Sequence, residues 1–295
     1  MLKPSWSILT LITGFVVWYW LTGKPKNNES FRKKNVIITG ASTGIGEQIA
    51  YRFCEQGANV LITARRELAL KTVVRKCYEL GGGSSAYIVA DLQNDNGSRA
   101  LYDESLRHFK TVDVLVLNHV FYEIKNWQHD RKFDEIQKVF NINVISYIQL
   151  TTLFLPSLQA SSGRVVVISS GMGVLTYPYF ALYCSNKHAL HGFFNALRQD
   201  FAMDPERINM TITISVLGAI ATENAMKASP NNPIAGSNGW YRFSAVDASV
   251  AILEGSLYRE RQIYFPSSMK LHEFFSVNFP VFTEWLIRYA YGLKS

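Results

Sequence analysis

The stretch "TGASTGIG", residues 39–46, decides the fold. It follows "NVIIT", a β-branched run typical of a buried strand, and leads into "GEQIAYRFCEQG", which has helical periodicity. Gly40 permits a tight turn, Gly44 lets the backbone approach a phosphate, and Gly46 allows the helix to pack closely on the strand. The N-terminus of that helix would face a pyrophosphate with unpaired N–H groups, so the loop predicts a dinucleotide site. The expected contacts are Gly40, Ala41, Ser42, Thr43, Gly44, Ile45 and Gly46.

The rest of the chain repeats this strand-then-helix pattern. Further strands are expected at "NVLITA", "SAYIVAD", "VDVLVLNH", "GRVVVISS", "MTITISVLG" and "RQIYFPS", with helical segments between them. Strands that alternate with helices predict a parallel sheet covered on both faces, because crossover connections are right-handed. We therefore expect one α/β, Rossmann-type doubly wound domain over residues 35–270. Residues 271–295 form an aromatic tail that is either docked on the core, a subunit interface or a membrane-dipping segment.

The N-terminal segment is apolar. Residues 6–22 carry no charge, and the length of this segment is close to the shortest that spans a bilayer. The segment ends in aromatic residues that suit a membrane interface. No small-x-small cleavage site is present, so residues 1–23 are expected to be an uncleaved signal-anchor, followed by a polar linker at 24–34. Lys24 and Lys26 favour a cytosolic body, whereas possible glycosylation acceptors at Asn28, Asn96 and Asn209 are useful only in the lumen.

Composition excludes several classes of protein. The hydrophobic content of 48% and the charged content of 18% fit a globular protein with a large core. The net charge of +7 is scattered and forms no electrostatic footprint, so no nucleic-acid partner is expected. The spacing of Cys54, Cys77 and Cys184 matches neither a disulfide framework nor a metal site, and no metal is expected.

The end of the second strand predicts which cofactor binds. An NAD site places an acidic residue there for the ribose 2′-hydroxyl, but this chain has Ala64 followed by Arg65 and Arg66. Two guanidinium groups favour a 2′-phosphate, and hence NADP(H), unless both are solvated surface charges. Asp91 and Leu92, which close the third strand, are expected near the adenine, although Asp is also a common turn residue.

A tyrosine and a lysine stand four residues apart in "YCSNKHAL", at Tyr183 and Lys187. About one such pair is expected by chance, so the spacing alone does not decide its role. Ser169 and Ser170 end the fifth strand, where open α/β sheets present side chains to a ligand. Asn143 lies in "FNINVISY" on the preceding helix. Further candidate contacts follow the fourth and sixth strands: Asn118, His119, Val120, Gly218, Ala219, Ile220 and Thr222.

Taken together, these motifs resemble the short-chain dehydrogenase/reductase superfamily, with its TGxxxGxG loop and its Asn, Ser, Tyr-x-x-x-Lys tetrad, over essentially the whole body. "LNHV", "SYIQLT", "LHGFF" and "ITISVLG" are similar to the 11β-hydroxysteroid dehydrogenase type 1 and type 1-like group. The resemblance implies an NADP(H)-dependent enzyme acting on a hydroxyl or keto group of a steroid. It also implies a homodimer on the endoplasmic reticulum membrane, single-pass with a lumenal catalytic domain, or secreted if the anchor is cleaved. The alternatives are a retinoid, another lipid alcohol or a xenobiotic carbonyl as substrate, or an NADP-binding protein without turnover.

Each tetrad residue has an expected role. Tyr183 is the acid/base, and Lys187 lowers its pKa from one helical turn away. Ser170 orients the substrate oxygen, and Asn143 positions a water or distorts its helix. Tyr177 is a candidate for the substrate pocket, although core packing explains it equally well.

The chain also departs from the group at three positions. Thr43 replaces the Lys or Arg of many NADP-using members, which removes one expected contact to the 2′-phosphate. Asn186 and His188 stand beside Lys187 and are expected to point away from the catalytic face.

Overall fold

A parallel sheet organises the chain. The computed structural model describes residues 29–228 and 243–292, and the expected anchor lies outside them. The strands, in chain order, are β1 (Asn35–Thr39), β2 (Asn59–Ala64), β3 (Ser85–Val89), β4 (Val114–Leu117), β5 (Arg164–Ile168), β6 (Thr211–Leu217), β7 (Ile220–Ala221), β8 (Phe243–Ser244) and β9 (Gln262–Phe265). Seven of them form one parallel sheet in the order β3-β2-β1-β4-β5-β6-β9, and β7 pairs with β8. The predicted α/β doubly wound fold is confirmed.

Helices connect the strands. They are α1 (Gly44–Glu55), α2 (Glu67–Glu79), α3 (Asp95–His108), α4 (Phe133–Phe140), α5 (Ser146–Ala160), α6 (Ala181–Met203), α7 (Glu223–Ala228), α8 (Ala245–Leu257), α9 (Met269–Asn278) and α10 (Pro280–Ala290). A π-helical turn, Asn141–Ile145, joins α4 to α5, and a 3₁₀ turn, Gly171–Gly173, follows β5.

The core lies on both faces of the sheet. Within β1, Val36 and Ile38 point to one face and Ile37 to the other, and all three are fully buried. Strands buried on both faces need apolar residues at every position, which explains their continuous β-branched sequences. The first face packs against residues of α1, α2 and α8, and the second against residues of α3, α5 and α6. Phe31, placed by prediction in the polar linker, is buried and packs edge-on to Phe53 at a ring distance of 4.7 Å.

The strand order reverses next to β1. The chain moves outward through β2 and β3, then returns to the other side of β1 to form β4, β5 and β6. Val36 pairs with Val60 of β2 and with Val114 of β4. In open α/β sheets ligands bind outside the carboxyl ends of the strands at such a reversal. The loops that follow β1, β4 and β5 therefore meet at one edge of the sheet.

One helical run in the described residues is long and apolar enough to cross a membrane. It is the 28-residue segment Phe133–Ala160, and half of its most apolar window is buried in the body. Tyr147, Leu150 and Phe154 from this run are fully buried in the second core face. Because it packs under the sheet and carries Asn143, we assign it as a core helix of the fold.

The helices α9 and α10 differ from the rest. Across these two described helices no side chain is buried. Val277 and Val281 are more than 70% exposed, at 72% and 77%. Met269 at the start of α9 nevertheless packs against the second core face, and Tyr264 of β9 donates to the carboxylate of Glu273, so the choice among the three alternatives for the tail stays a prediction.

Candidate active site

The glycine loop has a steric requirement at each predicted glycine. Gly40 and Gly44 have φ of +65° and +64°, which side-chain-bearing residues rarely adopt. A Cβ at Gly40 would lie 2.7 Å from Cα of His119, and one at Gly46 would lie 2.5 Å from the Gly40 carbonyl oxygen. A Cβ at Gly44 would lie 3.1 Å from Cγ2 of Thr222, so this glycine faces a predicted cofactor residue. The loop is thus closed on one side by β4 and on another by the segment after β6.

Asn118 and His119 hold the loop from behind. Nδ2 of Asn118 donates to the carbonyl oxygens of Thr39 and Gly40, at 3.1 and 3.0 Å. The ring of His119 lies between the hydroxyls of Thr39 and Ser146, at 2.8 and 2.6 Å. Burial, aided by the nearby Lys187, lowers the pKa of His119 to about 3, so the ring is neutral at physiological pH. These side chains support the loop rather than reaching outward, which the sequence did not predict.

The 2′-phosphate site can be built from two exposed side chains. Arg66 precedes α2, and its Nη2 donates to Oγ of Ser42 in the glycine loop at 3.3 Å. Arg65 is exposed beside it. A guanidinium and a hydroxyl side by side are groups that bind phosphate oxygens. Asp91 is exposed, and its Oδ1 accepts the N–H of Gln93 at 3.1 Å, which is the turn role anticipated as the alternative.

The segments that follow β3, β4 and β6 supply the remaining predicted positions. The N–H of Gly218 donates to the Phe265 carbonyl oxygen at 2.8 Å, which fixes the segment beside β9. Oγ1 of Thr222 accepts from the N–H of Ala225 at 3.2 Å at the start of α7. Leu92 and Ile220 are buried, whereas Val120 and Ala219 are exposed.

Ser170, Tyr183 and Lys187 meet at the carboxyl end of β5. Nζ of Lys187 donates to the carbonyl oxygen of Ile168 at 2.9 Å and lies 5.7 Å from the ring centroid of Tyr183. Ser170 is hydrogen-bonded to the phenol of Tyr183, and its Oγ accepts from the N–H of Met172 at 3.2 Å. The fold therefore brings together the serine, tyrosine and lysine that the motifs predicted.

The pKa values of this group differ from the expectation. Burial raises the pKa of Tyr183 to about 12, and the hydrogen bond with Ser170 only partly opposes the increase. Burial also lowers the pKa of Lys187 to about 7. We expected Lys187 to lower the pKa of Tyr183, but its ammonium is directed at a carbonyl oxygen and loses its own proton near neutrality. At neutral pH the folded chain therefore holds the tyrosine in its protonated, acidic form.

Asn143 lies in the π-helical turn between α4 and α5 and is fully buried. Its Nδ2 donates to the carbonyl oxygen of Phe121 and its Oδ1 accepts the N–H of Phe121, both at 2.8 Å. The amide group is therefore hydrogen-bonded to main chain through one donor and one acceptor, and its expected role in positioning a water stays a prediction. The π-helical turn agrees with the alternative, that this asparagine sits where the helix is distorted.

Tyr122 and His191 are neighbours of the site that had no sequence signal. The ring of Tyr122 contacts Tyr183 edge-on, with centroids 4.9 Å apart and planes at 80°. Tyr122 lies in an irregular segment, residues 118–132, that contains no periodic pattern. Buried Ser169 and His191 are hydrogen-bonded at 2.9 Å directly beside Ser170. Burial lowers the pKa of His191 to about 4.

The expectation for Asn186 was wrong, and that for His188 agrees with the structure. Asn186 is fully buried, and its Nδ2 donates to the Leu182 carbonyl oxygen at 2.7 Å. His188 is exposed, with Nδ1 2.8 Å from the carbonyl oxygen of Cys184.

Tyr177 lies in the loop between the 3₁₀ turn and α6. Burial raises its pKa, and its ring is 6.5 Å from that of Tyr291, just beyond α10. Tyr179 of the same loop is 6.2 Å from Tyr291. The C-terminal segment therefore returns to the loop that precedes the tyrosine–lysine helix.

Comparison with known proteins agrees with this site. The family described as short chain dehydrogenase matches residues 34–233, and the chain belongs to that family. Hydroxysteroid 11-beta-dehydrogenase 1-like protein A of Xenopus laevis is 35% identical over 259 residues, which cover 88% of this chain and 87% of that protein. The hydroxysteroid 11-beta-dehydrogenase 1-like protein of Danio rerio is 34% identical over 268 residues, 90% of each chain. The resemblance predicted from the motifs is confirmed.

Two solved structures share the fold. A short chain dehydrogenase from Burkholderia cenocepacia in complex with NADP superposes with a TM-score of 0.69 at 25% identity, covering 80% of this chain and 97% of that one. An alcohol dehydrogenase from the archaeon Thermococcus sibiricus, complexed with 5-hydroxy-NADP, has a TM-score of 0.68 at 20% identity, covering 78% and 95%.

Proposed function

We propose that this chain is an NADP(H)-dependent oxidoreductase that interconverts a hydroxyl and a ketone on a steroid-like apolar molecule. The observation that carries the proposal is the meeting of Ser170, Tyr183 and Lys187 at the carboxyl end of β5. They stand one strand from β4, whose end supports the glycine loop. A proton-transfer group beside a dinucleotide loop is the arrangement that alcohol–ketone chemistry needs.

The residues present fit NADP(H). Gly40 and Gly46 leave no room for a Cβ, Gly44 has a positive φ that favours glycine, and the loop opens α1. Ser42 and Arg66 would hold the 2′-phosphate, and Thr222 stands beside Gly44 to meet the nicotinamide end. The complex of the Burkholderia relative with NADP supports the same cofactor.

The chemistry of the chain's own groups follows from their pKa values. The nicotinamide supplies or accepts the hydride when bound. In reduction, the protonated phenol of Tyr183 gives its proton to the carbonyl oxygen, and Ser170 hydrogen-bonds to that oxygen and orients it. Lys187, with its pKa lowered to about 7, exchanges protons near neutrality and can reload the phenol.

The substrate class rests on two supports. The curated relatives carry names of hydroxysteroid dehydrogenase-like proteins. An aromatic wall also flanks the catalytic tyrosine, since the ring of Tyr122 meets that of Tyr183 edge-on with centroids 4.9 Å apart. Flat apolar molecules suit such a wall. Retinoids, other lipid alcohols and xenobiotic carbonyls share this chemistry and are the alternatives within the same reaction.

The location is part of the proposal. We place the protein on the endoplasmic reticulum membrane through its N-terminal segment, with a lumenal catalytic domain and a homodimeric assembly. The exposed apolar side chains of α9 and α10 support a second surface for membrane or partner, because soluble monomers rarely expose so many together. Glycosidase treatment tests the orientation, since a mass shift that disappears in an Asn96→Gln, Asn209→Gln variant requires a lumenal body.

Turnover assays test the function. The full chain in detergent or microsomes is given NADPH or NADP⁺ with a panel of hydroxysteroids, ketosteroids, retinoids and aryl ketones, and cofactor absorbance at 340 nm is followed. We expect turnover with at least one apolar alcohol–ketone pair and none after Tyr183→Phe. Tight NADPH binding without turnover of any member of the panel would refute the enzyme and favour a protein that only binds the nucleotide.

A further inference from the structure

The residue beside the catalytic tyrosine is held unusually firmly. Tyr122 follows Phe121, whose N–H and carbonyl oxygen both pair with the side-chain amide of Asn143 at 2.8 Å. Asn143 is fully buried in the π-helical turn, so this clamp is anchored in the core. The N–H of Lys125 further along donates to the Tyr179 carbonyl oxygen at 3.1 Å. The backbone is therefore held by hydrogen bonds on both sides of Tyr122.

The ring of Tyr122 lies directly beside that of the catalytic tyrosine. It meets the Tyr183 ring edge-on at 4.9 Å and lies 5.9 Å from the ring of Phe180, which is buried. Edge-to-face contacts at these distances are favourable, so the ring has a defined place. Tyr122 and Tyr183 are both half-buried, which leaves part of each side chain accessible. A molecule whose oxygen is bound by the Tyr183 hydroxyl therefore has Tyr122 as an immediate neighbour.

We propose that Tyr122 is a specificity-determining residue that selects substrates by their shape next to the reacting carbon. The inference rests on the proposed function and names which members of its substrate class fit. A ring fixed edge-on to Tyr183 admits a flat, unsaturated or aromatic neighbour, which can lie against it. A carbon with several branches next to the carbonyl collides with it, because neither the clamped backbone nor the packed ring can move aside.

Two bicyclic ketones of similar size test the proposal. 1-Tetralone is flat beside its carbonyl, whereas camphor is bridged and branched there. Their kcat/KM values with NADPH, and their equilibrium binding to the NADPH complex by calorimetry, are compared for the wild type, Tyr122→Ala, Tyr122→Leu and Tyr122→Phe. Tyr179→Ala is the matched control, because Tyr179 is an exposed aromatic residue of the adjoining loop whose ring contact is with Tyr291.

We expect Tyr122→Ala to raise the camphor-to-tetralone ratio at least tenfold in binding and in kcat/KM. Tyr122→Leu should give a smaller rise, and Tyr122→Phe and Tyr179→Ala should stay within twofold of the wild type. An unchanged binding ratio in folded Tyr122→Ala and Tyr122→Leu overturns the inference. If no variant turns over either ketone, the binding ratios alone decide the role of Tyr122, and the proposed function is decided separately by the panel of steroids, retinoids and aryl ketones.

Discussion

Replacing Arg66 by alanine should change cofactor preference more than catalysis. Its guanidinium donates to Ser42 in the glycine loop at 3.3 Å, so a phosphate bound by this hydroxyl would also contact the guanidinium. Two unit charges about 4 Å apart at an effective dielectric of about 20 interact by about 4 kcal/mol. Arg66 is exposed, and solvent screening reduces this to about 1–2 kcal/mol. We therefore expect NADPH binding to weaken about 5- to 30-fold in Arg66→Ala.

The assay compares two cofactors that differ only in the 2′-phosphate. Dissociation constants for NADPH and NADH are measured by calorimetry at low and high salt. NADH binding should change less than about twofold, and the NADPH effect should shrink as salt rises, because the Debye length falls from about 10 Å at about 0.1 M to about 3 Å at about 1 M. Arg65→Ala is the control for charge alone, and Ser42→Ala should weaken NADPH by a few-fold. Equal losses for NADPH and NADH, or a larger loss in Arg65→Ala, would refute the assignment of Arg66 to the 2′-phosphate.

Three further outcomes follow from the site. Tyr183→Phe should lower turnover about 10²- to 10⁴-fold in single-turnover kinetics, because it removes the proton donor. A cofactor dissociation constant shifted by more than about twofold would show that the hydroxyl also contributes to cofactor binding. His191→Ala leaves buried Ser169 without its hydrogen-bond partner and should cost about 1–3 kcal/mol in urea unfolding. That loss should be smaller when Ser169→Ala is already present, and simple additivity would contradict the pairing. Burial lowers the pKa values of His119 and His191 to about 3 and about 4, below the ordinary 6.5. Because the unfolded chain then binds more protons between pH 4 and 6.5, stability should fall as pH drops through that window. A melting temperature that is constant from pH 6.5 to 4.5 would contradict this.

The glycine loop was predictable because its chemistry is local. The requirement for glycine at Gly40 and Gly46 follows from how a strand, a tight turn and a helix pack, and these three elements adjoin in the sequence. The strand ends were also predictable, because buried parallel strands are continuous apolar runs that end at polar residues. The sequence alone therefore predicts that Ser170 lies just beyond the end of β5. The residues after β2 predict the proposed 2′-phosphate contacts for the same reason.

The contacts of Asn143 and Tyr122 were not predictable, because they join distant parts of the chain. Asn143 pairs with a residue 22 positions earlier, in a segment without periodicity. Tyr122 reaches Tyr183 only because β4 and β5 are neighbours in the sheet. A sequence motif identifies residue types, but it does not show which main-chain segment the side-chain amide of Asn143 will hydrogen-bond.

The error at Asn186 could have been avoided from helix geometry alone. At 100° per residue, Asn186 lies about 60° from Tyr183 around α6, whereas Lys187 lies about 40° away on the other side. Residues three and four apart share one face, so Asn186 shares the face of the catalytic pair and is buried with it. His188 lies about 140° from Tyr183 and is exposed. The spacing that made Tyr183 and Lys187 a pair thus also places Asn186 beside them.

The pKa values of Tyr183 and Lys187 imply that the chain without cofactor is better prepared to reduce a ketone than to oxidise an alcohol. With the pKa of Tyr183 at about 12, ionising it at pH 7 requires about 5 × 1.36, or about 7 kcal/mol. Reduction uses the protonated phenol as the proton donor, so Tyr183 does not have to be ionised before the reaction. Oxidation needs a group that accepts the alcohol proton, and Lys187, whose Nζ donates to the Ile168 carbonyl oxygen at 2.9 Å, does not offset the burial that raises the pKa of Tyr183. The folded chain therefore stands ready as a proton donor, and activation of Tyr183 as a base depends on positive charge brought by the oxidised cofactor.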